Sequence, residues 1–139
     1  MGDGGEADMI RGSCLCGSVR YEIRGQLGPA IHCHCSMCRK VHGAAFGSYA
    51  RVQRSDFILL SGAADIASYQ SSPEVTRTFC RQCGSTLQFI RATRPDTFAL
   101  ALGTLDDDPV VRPSMHIHIE TRVPWLDIND GLPQHIGHP

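Results

Sequence analysis

The chain has 139 residues, enough for one domain that buries about two-thirds of its unfolded surface. Its formal charge is −1, with acidic and basic residues mixed. No basic face or stripe is visible, which argues against a nucleic-acid-binding protein and favours a small-molecule substrate. No run of about 18 apolar residues occurs, so the sequence predicts no membrane-spanning helix.

The start of the chain is polar and lacks the apolar stretch of a secretory signal. We therefore expect residues 1–11 to be disordered and residues 12–139 to form a single domain in the cytoplasm. Thiols stay reduced in that compartment, so clustered cysteines there indicate metal binding or catalysis.

Short strands dominate the predicted elements, and turn residues separate them at short intervals, as in all-β proteins. The first strand shows the pattern clearly, because Val19, Tyr21 and Ile23 alternate toward one face. The predicted strands are 19–23, 30–32, 46–50, 57–60, 66–70, 75–79, 87–90, 97–102 and 115–119. A helical turn or two is expected around residues 36–41, and no segment has a long helical period.

Seven cysteines occur in three clusters, and seven is four plus three. The clusters are Cys14 with Cys16, then Cys33, Cys35 and Cys38, then Cys80 with Cys83. A structural zinc site is closed by four protein ligands, whereas a catalytic zinc keeps one position open. The two pairs can form a closed site and the triplet an open one. Disulfides fit poorly, because the count is odd and no export signal is present.

The Cys-x-Cys and Cys-x-x-Cys pairs each bring two thiolates to one metal from a tight turn. Gly17 and Gly84 follow them directly, and small residues there let backbone N–H groups turn toward the sulfurs. A metal held by both pairs would close a long loop. The second pair alone could suggest a thioredoxin-like redox motif, but that motif needs a βαβ context that this chain lacks.

The triplet leaves alternatives open. A nearby His32, His34 or His42 could complete a closed Cys₃His site. On an extended backbone His32 and His34 would point away from the metal, whereas His42 could reach it. The favoured interpretation is an open zinc site, with one coordination position not filled by a protein ligand. Three thiolates make zinc a weak Lewis acid but suit it to a further thiolate, so the pattern predicts thiol addition to a carbonyl or the reverse cleavage.

Other residues are weaker candidates. Arg39 and Lys40 could hold a substrate carboxylate beside the triplet. His116 and His118 are predicted to share one strand face, as core histidines or with one of them lining the zinc pocket. Trp125 is expected in the core rather than as a substrate platform. Residues 106–108, three aspartates before a proline, are expected to form a solvated turn.

The order CxC, CxCxxC and CxxCG resembles the glutathione-dependent formaldehyde-activating enzyme family, which includes centromere protein V-like proteins. The resemblance extends from about Gly12 to Gln134. It is carried by segments 12–17, 19–21, 32–40, 79–84, 103–106, 116–117, 124–125 and 130–134.

The resemblance implies a β-tent of packed antiparallel sheets stapled by zinc. It implies two zinc ions per chain, the second more labile. Cys14, Cys16, Cys80 and Cys83 would hold the structural ion, and Cys33, Cys35 and Cys38 the catalytic one. The family's named reaction joins glutathione and formaldehyde into S-hydroxymethylglutathione, so the chain would be a carbon–sulfur lyase. Glutathione's sulfur would sit near or on the second zinc, with the aldehyde carbonyl polarised beside it.

Three other functions remain possible at this point. The thiol or the electrophile could differ from glutathione and formaldehyde. Both zinc sites could be structural, in a non-catalytic module that binds a protein partner. The open site could also activate water and hydrolyse a different small substrate.

Overall fold

The computed structural model describes residues 9–139, which form ten strands and one α-helix. The strands are β1 (Met9–Ser13), β2 (Arg20–Arg24), β3 (Ala30–Cys33), β4 (Gly47–Gln53), β5 (Phe57–Ser61), β6 (Ile66–Ser72), β7 (Val75–Cys80), β8 (Thr86–Arg91), β9 (Thr97–Ala101) and β10 (His116–Ile117). The helix is α1 (Ser36–His42), and short 3₁₀ turns lie at Arg54–Asp56, Ala63–Asp65, Leu102–Thr104 and Ile119–Thr121. The predicted all-β class is confirmed.

The smaller sheet has three antiparallel strands in the order β1-β2-β5. In strand β2, Tyr21 and Ile23 are almost completely buried, as the alternation predicts, and Glu22 between them is buried too. Strand β1 begins at Met9, inside the segment expected to be disordered, because it pairs along its whole length with β2. The rest of that segment, residues 1–8, lies outside the described residues.

The larger sheet has seven strands in the order β10-β3-β4-β9-β8-β7-β6. All neighbouring pairs are antiparallel except β10 and β3, which run parallel. One face packs on the smaller sheet, where Val52, Phe98 and Leu100 meet Tyr21 and Ile23 in the main core. The opposite face, carrying alternate residues, lines a cavity.

Several predicted elements differ from the structure in extent; the strands predicted over 46–50 and 66–70 continue to Gln53 and Ser72. The strand predicted over 115–119 is only two residues long, because His118 adopts a left-handed backbone with φ of 56° and ends the pairing. The expected helical turns form the seven-residue helix α1. No helix in residues 9–139 is long and apolar enough to cross a membrane.

Candidate metal centres

The first centre gathers the four thiols of the two cysteine pairs. The Sγ atoms of Cys14, Cys16, Cys80 and Cys83 all lie within 4.8 Å of one another. Cys14 and Cys16 are 3.6 Å apart, and Cys16 and Cys80 are 3.8 Å apart. Four sulfurs around one zinc at about 2.3 Å would be separated by about 3.8 Å. The four thiols therefore fit a tetrahedral zinc ion.

Two tight turns bring these thiols together. After β1 the chain reverses, and the N–H of Cys14 donates to the carbonyl of Val19 at 3.0 Å. After β7 it reverses again, and the N–H of Gly84 donates to Cys80 at 2.7 Å. Gly17 and Gly84 have φ of 81° and 83°, left-handed values that glycine adopts without strain. The two glycines that follow the pairs are thus required by the turns.

Hydrogen bonds favour the thiolate form of two cysteines in this centre, Cys14 and Cys83. The backbone N–H of Val19 donates to the Cys14 sulfur at 3.3 Å. Hydrogen bonds from the Ser85 side chain and backbone lower the pKa of Cys83 to about 5. Metal ligation requires thiolate, so these contacts prepare the cysteines for a cation.

The second centre lies where β3 ends and α1 begins. Cys33 closes the strand, Cys35 caps the helix and Cys38 lies in its first turn. Their three ligand atoms lie within 4.8 Å of one another, and Cys33 and Cys38 are buried. The Cys35 sulfur accepts from the N–H of Cys38 at 3.3 Å. Hydrogen bonds from Cys33 and Cys38 lower the pKa of Cys35 to about 2.

The group of converging ligand atoms at the triplet contains no histidine. His42 Nε2 forms a hydrogen bond of 2.9 Å with the Tyr49 hydroxyl and does not belong to the group of thiol ligands. His32 and His34 lie elsewhere: His32 hydrogen-bonds Ser48 and His34 hydrogen-bonds a histidine of β10. Three sulfurs therefore fit one side of a zinc ion and leave its remaining position to another ligand.

Arg77 and Tyr49 stand beside the triplet, and the sequence did not single them out. The Arg77 guanidinium is buried, with its two terminal nitrogens 3.7 and 3.8 Å from the Cys38 sulfur. It also donates to Tyr49 at 3.3 Å and lies 4.9 Å from the ring centroid of Phe89. The sequence does contain one indication of Arg77. This arginine shares the alternating positions of the apolar residues Val75 and Phe79 along a strand that ends at Cys80.

A cavity of about 980 Å³ opens onto the three thiols. This volume is at the upper end of the range of about 300–1,000 Å³ found for small-molecule sites. Its floor is largely apolar, and four arginines line it: Arg51, Arg77, Arg91 and Arg94. Within residues 9–139, neither aspartate nor glutamate lines the cavity, and none of these arginines forms an ion pair.

The weaker sequence predictions have different outcomes. Arg39 and Lys40 are not among the residues that line the cavity, and their contact with a substrate carboxylate stays a prediction. The strand face predicted to be shared by His116 and His118 is wrong, because His118 leaves the strand; His116 is buried in a hydrogen-bonded cluster, and His118 lines the cavity, as the alternative prediction had it. The core position predicted for Trp125 is wrong, because this residue is 68% exposed.

The aspartates at 106–108 form an exposed bend, as expected, but they also make specific contacts. Asp106 accepts from the Ser13 hydroxyl at 2.8 Å, and Asp107 accepts from the backbone of Arg11 at 2.9 Å. Asp108 pairs with Arg112 at 2.8 Å. The bend therefore holds the outer edge of β1.

Comparison with known proteins identifies the class of this fold and site. Residues 9–121 match the family described as "Glutathione-dependent formaldehyde-activating enzyme". The match spans most of the chain and all seven cysteines. The chain belongs to this family.

Individual relatives agree. A Halomonas elongata protein named "Putative glutathione-dependent formaldehyde-activating enzyme" is 27% identical over 127 residues, covering 86% of this chain and 81% of that protein. An uncharacterized lyase of Schizosaccharomyces pombe is 30% identical over 78 residues, covering 56% of this chain and 55% of its own. The crystal structure of a Rhodobacter sphaeroides protein, 27% identical, superposes with a TM-score of 0.60 over 70% of this chain and 89% of the other.

Proposed function

We propose that the chain is a zinc-dependent carbon–sulfur lyase that adds glutathione or another small thiol to formaldehyde or a related electrophile, or catalyses the reverse. The single observation that carries this proposal is a three-thiol centre with no histidine in its ligand group, facing a large cavity. Family membership supports the same reaction.

In this proposal Cys14, Cys16, Cys80 and Cys83 hold a structural zinc ion, and the triplet holds a second one. Zinc bound at the triplet would supply an open coordination position for a soft anionic sulfur and a Lewis acid for the electrophile. The family relationship makes glutathione the first thiol to test.

The charges around the triplet support a thiol substrate. Three thiolates and one divalent ion leave a net single negative charge, and a fourth thiolate would double it. Repulsion of this kind opposes binding in a buried site unless a cation compensates. Arg77, buried against the Cys38 sulfur, supplies that cation. In this proposal, Arg77 compensates the negative charge that is added when the substrate sulfur binds.

The lining of the cavity supports a thiol that carries carboxylates. Arg51, Arg91 and Arg94 extend the positive lining away from the thiols, with no acidic side chain among the lining residues. Guanidinium groups bind carboxylates through paired N–H donors. Glutathione has two carboxylates and fits this requirement, whereas an uncharged thiol would use only the apolar floor.

The Tyr49 hydroxyl and Arg77 also support activation of a small carbonyl. Tyr49 lies between His42 at 2.9 Å and Arg77 at 3.3 Å, at the wall of the cavity. Hydrogen-bond donors held in a water-poor site stabilise negative charge that develops on a carbonyl oxygen. In the proposed reaction these two side chains donate to the aldehyde oxygen as the carbon–sulfur bond forms.

The test is zinc content by elemental analysis together with turnover, on wild type and on Cys35→Ser. We expect Cys35→Ser to hold one zinc ion fewer than wild type and to fold, but to lose formaldehyde turnover at least about a hundredfold, because one ligand at the open site is gone.

Adding glutathione should perturb the triplet ion of wild type, seen as an increased rate of zinc transfer to a chelator or a changed cobalt spectrum. An uncharged thiol such as 2-mercaptoethanol should do so only at higher concentration. If glutathione leaves the zinc ion at the triplet of wild type unchanged, and no formaldehyde turnover is found, the enzymatic proposal fails in favour of a non-catalytic zinc module.

A further inference from the structure

We propose that His32, His116 and Asp130 form a third metal site, selective for zinc or a similar divalent transition ion, on the face of the seven-stranded sheet opposite the cavity. The proposal does not depend on the reaction assigned above. It rests on side chains that the reaction does not use.

Strand register places the two histidines side by side. His32 of β3 is paired with His116 of the parallel strand β10, and their ring centroids are 4.9 Å apart. Side chains alternate along a strand, so His32 faces away from its neighbours Ile31 and Cys33, which line the cavity. The histidine pair therefore lies on the face of the sheet opposite the cysteine triplet.

Asp130 completes a convergent set of ligand atoms. One ligand atom from each of the three residues lies within 4.8 Å of the others, and His116 Nε2 is 2.8 Å from Asp130 Oδ2. Zinc bonds of about 2.0–2.2 Å to nitrogen and oxygen place tetrahedral ligands roughly 3.3–3.6 Å apart. The Asp130 side chain is 43% exposed and can make the small shift this needs.

The polar atoms that would not face the ion are already held. His32 Nδ1 lies 2.7 Å from the Ser48 hydroxyl, and His116 Nδ1 lies 2.7 Å from His34 Nε2. Asp130 Oδ1 accepts from the backbone N–H of Leu132 at 3.0 Å. Outer-shell hydrogen bonds of this kind fix the tautomer and orientation of metal-binding histidines. They leave the two Nε2 atoms and Asp130 Oδ2 as the atoms available to an ion.

A hydrogen-bonded chain in this cluster does not involve His32. Such a chain uses His34, His116 and Asp130, and it leaves His32 Nε2 without a hydrogen-bond partner within residues 9–139 and free to bind an ion. His116 is also the only ion-pair partner of Asp130 in that part of the chain. A divalent ion would satisfy the free nitrogen and balance the carboxylate together.

The surroundings suit such an ion. The ring of Phe46 packs 4.5 Å from His32 and 4.9 Å from His34, so one side of the cluster is apolar, while Asp130 leaves the other side open to water. Two imidazoles and one carboxylate form a donor set that zinc, cobalt and iron all accept. An ion there would bind β10 and the loop after it to the back of β3.

The first test uses the wild-type protein loaded with cadmium-113 and read by NMR. Cadmium held by thiolates resonates far downfield of cadmium held by nitrogen and oxygen. We expect one resonance in the nitrogen–oxygen range in addition to those of the thiolate sites. Its absence at saturating cadmium would overturn the proposal, and no variant has to fold for this result to count.

The second test compares Asp130→Asn and His32→Ala with the matched control His135→Gln, a histidine of the same loop region outside the cluster. The first two variants should lose the nitrogen–oxygen resonance and one equivalent of zinc by elemental analysis, and the control should keep both. Equal zinc content in the wild type and Asp130→Asn would contradict the site. Circular dichroism establishes that the compared proteins are folded.

Discussion

Arg77 shows how one buried side chain can define the chemistry of a thiolate centre. Its guanidinium reaches Cys38, Tyr49 and the ring of Phe89, and its Nε donates to Ser71 at 3.0 Å. A charge removed from water in this way is costly unless it is paired. Within residues 9–139 no carboxylate forms an ion pair with Arg77, so the partner available to its charge is the sulfur of Cys38.

Two replacements of Arg77 distinguish the effect of its charge from the effect of its forked hydrogen-bond donors. In Arg77→Met we expect the Michaelis constant for glutathione to rise by about ten- to a hundredfold, since a charge-assisted hydrogen bond contributes roughly 1.5–3 kcal/mol. Arg77→Lys should recover part of this loss, because it keeps the charge but not the forked donors. Steady-state kinetics at varied glutathione measures both.

Arg54→Met is the matched control, because Arg54 is exposed and does not line the cavity. A structural role for Arg77 alone would lower stability in both Arg77 variants without the graded effect on glutathione. Unchanged kinetics in a folded Arg77→Met would remove the arginine from the proposed mechanism.

Among the elements, strand β1 depends on close approach to β2. Gly12 pairs with Tyr21, and a Cβ atom at position 12 would overlap the Tyr21 ring. That ring is buried, and its hydroxyl is 2.6 Å from the Thr104 side chain. The glycine is therefore required by packing and not by backbone conformation.

The variant Gly12→Ala tests this contact. We expect the free energy of unfolding to fall by about 1–3 kcal/mol, the usual cost of overpacking a buried site. Gly103→Ala is the control, since a Cβ at position 103 meets nothing within 4 Å. Chemical denaturation of both variants gives the difference. Equal stability of the two would show that Tyr21 moves aside freely.

The elements show where sequence reasoning succeeds and where it stops. The alternation that predicted β2 and β7 reports directly on one buried face, so those strands are found within a residue or two. The predicted length of strand β10 is wrong for a physical reason. The left-handed backbone of His118 ends the strand, and hydrophobic periodicity does not report backbone conformation. The predicted burial of Trp125 is wrong for a similar reason, because its exposure depends on which segments pack against it.

The residues of the candidate sites also fall into those that the sequence predicts and those that it does not. Cysteine spacing identified all seven thiols, because ligands that are close in sequence are also close in space. Arg77 and Tyr49 reach their positions through strand pairing across the sheet, and Asp130 reaches its position in a loop, at 39, 11 and 14 residues from the side chains they contact. Contacts of that kind are set by topology and are not visible as local motifs.

At the scale of the whole molecule, the four-thiol centre joins both sheets. Cys14 and Cys16 follow β1 of the smaller sheet, whereas Cys80 ends β7 of the larger sheet and Cys83 follows it. Around them Val19 and Leu87 form a small buried cluster. A metal at this point would cross-link the two layers beside this cluster.

The variant Cys83→Ser should therefore lose cooperative folding. Structural zinc in finger peptides contributes on the order of 10–16 kcal/mol, which is comparable to the total stability of a domain, about 5–15 kcal/mol. Thermal unfolding followed by circular dichroism measures the effect, with Cys35→Ser as the comparison. A Cys83→Ser protein that melts like the wild type would contradict a structural metal at this centre.

The sequence separation within the four-thiol centre also sets an order of events during translation. Cys16 and Cys80 are 64 residues apart, so the first pair leaves the ribosome long before the second exists. During that interval the nascent chain carries exposed thiols and an incomplete sheet. The metal can lock the domain only when residue 83 emerges, and oxidation or capture of zinc by other proteins before that moment would compete with folding.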